Sequence, residues 1–461
     1  MGKPMRNKKR DLEFANEQGS ALVIALLCLL VLGVTSSAIV FTTQGEMKSS
    51  AAYKYSQQAF YIANGGMQRA VLWFNNSYTP HLPSTDYNTM YFPVRYSGSN
   101  VLLAGQSGGS AVYPESAVAS SFYTSFANQT LQANTKNSGV YDLNATLIKY
   151  QPTTFINTST FATYASAIER WRVTSTGYWR TSANPIGEAQ VTATIENDGD
   201  TIFPDALWGI NGVSLGGTNL IDSYDPRLGS YNPSTNKGYA GSVGSNGTIS
   251  INGSVEVDGG LFYGPSGSYT QAGGSAIITG GVTPLPAPHY FPPVPSFTVG
   301  TTNFDVAGKA TAHIPAGSYA TVSAKSQSIL IFDGGVYYID TLESLAQAVI
   351  HIAGPTTLFI KSELNLNGQS IINDAGLPSD LTVFYSGTAP VSLEGGTGFY
   401  GSLYAPDAPV VLKGNTDFYG SFIGLTVGDS GTPKVHFDQG SLNRNLIQQP
   451  FRVVTWSRNV Y

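Results

Sequence analysis

Between Ser20 and Phe41 the chain carries no charged residue. Wound as a helix, this run reaches about 33 Å, enough to cross the ~30 Å hydrocarbon core of a bilayer. Lys3, Arg6, Lys8, Lys9 and Arg10 precede it. Such a basic flank holds the N-terminus in the cytoplasm and places the rest of the chain beyond the inner membrane. A secretory signal peptide would have a shorter apolar region ending in a small-residue cleavage site. Here TTQGEMKSS follows instead. Beyond it, Ala52, Tyr55, Ala59, Ile62, Gly66, Ala70 and Trp73 recur at steps of three or four, one face of a helix. Two arrangements fit: one long helix from about Ser20 to Phe74, or a membrane anchor followed by a separate core helix.

Composition narrows what the remainder does. Charged residues make up 11% of 461, while there are 51 Gly and 27 Tyr. Disordered chains show the opposite pattern, with high charge and few aromatics, so a Gly-punctuated β-rich protein of two to four domains is expected. A net charge of −5 offers no broad basic surface for a phosphate backbone, which argues against nucleic-acid binding. The single cysteine, Cys28, rules out an internal disulfide framework. The five histidines show no metal-ligand spacing, so neither a metal nor a cofactor is expected.

The segments QGSALVIALLCLLVLGV, TTQGEMKSS and QQAFYIANGGMQRAV resemble the N-terminus of PilX-type type IV pilus assembly proteins, a minor-pilin group, over roughly residues 15–75. The resemblance implies a basic leader cut by a prepilin peptidase, with Gly19 the last leader residue and Ser20 the mature N-terminus. It also implies partnership with the inner membrane, other pilin subunits and the assembly machinery. Two positions depart from the wider pilin pattern. Ile24 stands where major pilins carry Glu, and Asn64 replaces the acid of the AFQAAEAG-like stretch. Both fit a rare or tip-located subunit.

IERWRVTSTG (168–177) and EAQVTATIE (188–196) alternate polar and apolar residues and predict two antiparallel strands, with Trp171 and Trp179 as packing residues. Farther on, Asn246-Gly247, Asn252-Gly253 and Asp258-Gly259 recur every six residues (252 − 246, 258 − 252), bracketing the short strands TISI and SVEV. Asn-Gly and Asp-Gly turn corners cheaply. Three six-residue faces give about 18 residues per coil, the mark of a repeat architecture. FYGSL at 399–403 returns as FYGSF at 418–422, an offset of 19 (418 − 399). The expectation is a large right-handed β-solenoid in which Phe399 and Phe418 stack inward, Tyr400 lies over Tyr419, and Gly401 and Gly420 sit at equivalent bends. A meander sandwich is the competing fold. Thr283–Pro295, with six prolines, cannot feed a central ladder and reads as a connector or an excursion packed along the side.

IDSYDPRLGSYN, LNLNG, FYGSLYAPDAPVVLKG and VHFDQGSL resemble an uncharacterised Gly-rich bacterial surface domain, over about residues 203–445. The fold expected is α+β, mainly β. It comprises a leader at 1–19, a helix at 20–75 and a pilin-like β-containing region at 76–202. Two solenoid blocks at 203–283 and 298–445 follow, separated by a connector at 284–297, with a tail at 446–461. GVSLG (212–216) matches a nucleophile-elbow pattern but lacks a following helix. Glu394, Asp407, Asp417 and Asp429 are spread out and read as turn-capping acids. A structural role as a pilus component is therefore expected, not an enzyme. The alternatives are a membrane-anchored adhesin or carbohydrate-binding protein outside any pilus, and, below both, a polysaccharide-active β-helix enzyme.

Overall fold

The structure is a computed structural model. It describes residues 11–82, 86–106, 108–133, 136–181, 184–345, 347–366, 371–373, 377–394 and 399–459. The expected leader, 1–19, lies outside the described residues up to position 10. The chain divides into two compact units: Met1–Gln151 with Glu169–Asn197 and Phe451–Tyr461, and Pro152–Ile168 with Asp198–Pro450.

In the first unit a single helix runs from Asp11 to Asn76, about 100 Å at 1.5 Å per residue, which decides for the continuous arrangement. Gly19 and Ser20 lie within it. Its apolar first half, from Leu22 to Phe41, is exposed. In its second half Ala59, Ile62, Ala63, Met67, Ala70, Trp73 and Phe74 are buried. Ala52 of the expected face is exposed and Tyr55 only half-buried, because the buried contacts begin near Ala59. The face packs on an antiparallel sheet. Thr163–Thr181 pairs with Asn184–Glu196 from Arg170↔Glu196 to Thr181↔Asn184, and Asn184–Glu196 pairs with Arg452–Asn459. The approach is close at Gly177, where a Cβ would sit 2.2 Å from the Ala59 carbonyl oxygen. Trp171 is fully buried against Phe74, with ring centroids 5.5 Å apart. Residues 446–461, expected as a tail, contain the strand Arg452–Asn459, which forms an edge of this sheet. The region expected at 76–202 is shared between the units, since 152–168 and 198–202 belong to the second.

The second unit is mostly β. Its short strands join a ladder of parallel rungs, 23 strands among the described residues. Val243 pairs with Leu261 (261 − 243 = 18) and Gly335 with Thr356 (356 − 335 = 21). Inward positions form the core: Ile221, Val257, Phe399, Phe418 and Val435 are all buried. Rung order departs from chain order. The last rung, 417–438, pairs with the first, Leu207↔Phe422 and Ile221↔Val435. The first rung also pairs with 243–257 on its other side. The ladder therefore runs 304–314, 317–332 and onward to 417–438, then 207–224, 243–257, 261–278 and 282–284.

This order requires the chain to return from one end of the ladder to the other between Pro284 and Phe304. Ten steps of ~4.8 Å need ~48 Å, and twenty residues at the ~3.1 Å rise of polyproline II supply about 60 Å. The Pro-rich segment makes this return along an outer column of register partners: Tyr338, Phe359, Phe384, Tyr404, Ile423 and Trp208. His289 exchanges hydrogen bonds with Asn246 (2.7 and 2.8 Å), and Phe291 packs 5.3 Å from Trp208. The Tyr404 hydroxyl donates to the Pro292 carbonyl at 2.6 Å, and Phe297 reaches Tyr338 and Phe359. Prolines suit a strand-free strap because no ladder partner awaits their missing N–H.

Candidate functional site

Two features stand out as candidates: the exposed apolar helix and an acid–histidine column in the second unit. The column grows out of the FYGS repeat. Phe399–Ala405 pairs in parallel with Asp417–Gly431, setting Phe399 against Phe418, Tyr400 against Tyr419 and Gly401 against Gly420. Both Phe side chains are buried in the core. The Tyr400 and Tyr419 rings stack outward, 4.3 Å apart and 2° from parallel. The two glycines are not equivalent bends. Only Gly420 takes a positive φ, +130°, and a Cβ there would lie 2.0 Å from the Gly401 carbonyl oxygen. At Gly401 a Cβ meets side chains of Leu381 and Phe399 at 3.1 Å.

The next partners in this column are His436 and then Asp222. Asp222 and His436 are buried, and Nδ1 of His436 lies 2.5 Å from Oδ1 of Asp222. The Tyr231 ring stacks on the imidazole with centroids 3.7 Å apart, and its hydroxyl donates to Oδ2 of Asp222 at 2.7 Å. Asp417 stands 4.0 Å from Nε2. Burial raises the Tyr231 and Tyr419 hydroxyl pKa values well above the usual range. The column thus joins rungs that are adjacent in space and distant in sequence. The histidine and aspartate were not singled out as site residues from the sequence. The quoted motifs IDSYD and VHFDQ contain them, but only the pairing of the first rung with the last brings them together.

Open space lies elsewhere. One groove of about 310 Å³ is lined by Asn219, Glu256, Ser275 and Lys434 among others. Another of about 370 Å³ is lined by Ser362, Glu363, Tyr385, Ser392 and Lys413 among others. GVSLG lies inside the strand Leu207–Gly217, so Ser214 sits on no strand-to-helix turn. Asp429 accepts hydrogen bonds from the Gly216 N–H and the Asn219 amide, both at 2.7 Å, a turn-capping role. Asp417 faces Lys434 at 3.8 Å, Asp407 is exposed, and the side chain of Glu394 lies outside the described residues. Among the described residues no group of His, Cys, Asp and Glu is arranged to hold a metal.

Residues 18–68 match the family model described as PilX N-terminal. The helix is a PilX-type, type IV pilin-like segment. Within the PilX-type segment the apolar residues Leu22 to Phe41 form a continuous exposed surface, the part available to lipid or to other helices. Residues 326–443 match a domain of unknown function, DUF7305, which covers the rungs from Ile329–Phe332 to 417–438. No curated protein matches the sequence. Among solved structures, the competence-associated pilin ComZ from Thermus thermophilus is similar at 12% identity, covering 88% of this chain and 98% of that chain. Its TM-score of 0.27 is too low to bear on the fold.

Proposed function

We propose that this chain is a structural and assembly component of a type IV pilus or a related pseudopilus: a PilX-like minor pilin whose parallel rungs form a right-handed β-solenoid head. The carrying observation is the PilX-type helix, with an unburied apolar half and a second half fixed to its own sheet. An apolar surface of this length is stable only in lipid or against other apolar helices. Cleavage between Gly19 and Ser20 by a prepilin peptidase frees the helix to pack with those of other pilin subunits. Ile24 in place of an acid fits a minor subunit, and the large head fits display at a tip, outside the cell. The buried, hydrogen-bonded state of the acid–histidine column fits a structural role over a catalytic one.

N-terminal sequencing of the protein purified from a host with a prepilin peptidase tests the reading. The expected mature N-terminus is Ser20. An intact leader, or cleavage beyond Phe41, overturns pilus incorporation and leaves a membrane-anchored adhesin or carbohydrate-binding protein. That second reading is favoured by the polar groove lined by Glu363, Ser392 and Lys413.

A further inference from the structure

We propose that the hairpin tip Met90–Phe92 docks onto an anionic lipid surface. Tyr87–Asn88 and Arg95–Tyr96 pair antiparallel and hold this tip between them. The base is fixed. Tyr87 is buried edge-on against Tyr150, with centroids 4.6 Å apart, and the Val94 N–H donates to the Leu147 carbonyl at 3.0 Å. The tip is open: Met90 is 93% exposed, Phe92 71% and Tyr91 48%. Three consecutive apolar side chains at an exposed tip are costly in water and mark an interaction site.

Two cations accompany them. The Arg95 guanidinium lies 4.2 Å over the Tyr91 ring and that of Arg172 lies 5.7 Å from the centre of the Phe92 ring. A guanidinium over a ring keeps its N–H donors in its own plane, free to bind phosphate oxygens. Nearby, Asp86 and Glu115 face His81, and Glu196 pairs with Lys149 and Arg170.

Apolar residues that insert, beside guanidinium groups that bind phosphate, match an anionic bilayer interface. A second copy of this chain fits poorly, since tip-to-tip contact would set two arginines against two. The bilayer that anchors Ser20–Phe41 is out of reach: the tip lies beside Arg172, whose neighbour Trp171 packs on Phe74, ~50 Å along the helix from Phe41. The lipid surface is therefore a second one, met by the first unit at the end of its helix away from the membrane span.

The test uses the full chain held in neutral phosphatidylcholine nanodiscs, so that its anchor is occupied, mixed with phosphatidylglycerol or phosphatidylcholine vesicles and floated. Flotation with phosphatidylglycerol vesicles alone is expected, weakening as salt rises. Met90→Asp with Phe92→Asp is expected to lower it about ten-fold or more, and Arg95→Gln with Arg172→Gln to lower it by a smaller factor. Near-ultraviolet circular dichroism identical to that of the parent excludes misfolding of the variants. Met90→Ala with Phe92→Ala supplies a milder pair for the same measurement. No flotation, equal flotation with both lipids, or equal flotation of parent and Asp variant overturns the proposal. A photo-crosslinker at position 90 that labels only protein overturns it in favour of a protein partner.

Discussion

Replacing Glu169 by Gln should remove a pH-dependent weakness from the first unit. Glu169 is fully buried, its Oε2 accepts from the Tyr78 hydroxyl at 2.7 Å and from Trp171 Nε1 at 2.9 Å, and its Oε1 has no partner. Burial, opposed by those two donors, pushes its pKa from 4.5 up to about 7. The folded value lies above the unfolded one, so the folded state retains a proton that the unfolded state has released. No penalty exists below pH ~4.5; it grows between about 4.5 and 7 and is constant above. A gap of about 2.5 units at 1.36 kcal/mol each gives ~3 kcal/mol at full extent. For a unit of this size that is a fall in Tm of roughly 6–12 °C between pH 4.5 and 8. Gln keeps an acceptor for both donors and does not ionise. The assay is thermal unfolding followed by tryptophan fluorescence at a series of pH values, comparing the parent with Glu169→Gln. The variant should lack this part of the decline and exceed the parent increasingly above pH 5. Parallel pH profiles would show that Glu169 does not carry the effect and refute the reasoning.

Other expectations follow from the second unit. Asp205, raised to about 7 by burial, should behave alike, so Asp205→Asn should flatten its decline between pH 4 and 7 in the same assay. Phe418→Ala should cost about 3–5 kcal/mol in urea unfolding, because it empties a core position, while Tyr400→Ala should cost about 1 kcal/mol, chiefly an outward stack. Gly420→Ala should prevent soluble expression or sharply lower Tm, since its Cβ meets backbone at positive φ; Gly401→Ala, which meets side chains, should be milder. His436→Ala should cost about 3–5 kcal/mol by leaving Oδ1 of the buried Asp222 without a partner, Tyr231 remaining on Oδ2, and adding Asp222→Asn should restore part of the loss.

The local elements were legible in the sequence because their causes are local. An uncharged run flanked by Lys and Arg can only be an apolar helix, and its continuation at helical spacing is visible through Trp73. Alternating residues gave the strands around Trp171 and Val191. The identical FYGS stretches placed Phe399 and Phe418 at equivalent inward positions. Spacing could not show that only Gly420 carries the positive φ, because that depends on how closely the two rungs approach.

Rung order was decided by the tertiary structure alone. Nothing in VHFDQ says that its strand lies beside IDSYD, more than two hundred positions earlier, instead of ending the ladder. Parallel pairing between distant segments is selected by matching whole rungs in three dimensions, and a six-residue period is the same whichever rung comes next. Once the last rung meets the first, the Pro-rich segment must return along the column from Trp208 to Tyr338, and Asp222 must face His436. By itself the sequence determined the N-terminal helix, the strands around Trp171 and Val191, and the inward positions of Phe399 and Phe418. The tertiary structure decided which element is neighbour to which, because that choice rests on contacts whose partners the chain brings together only on folding.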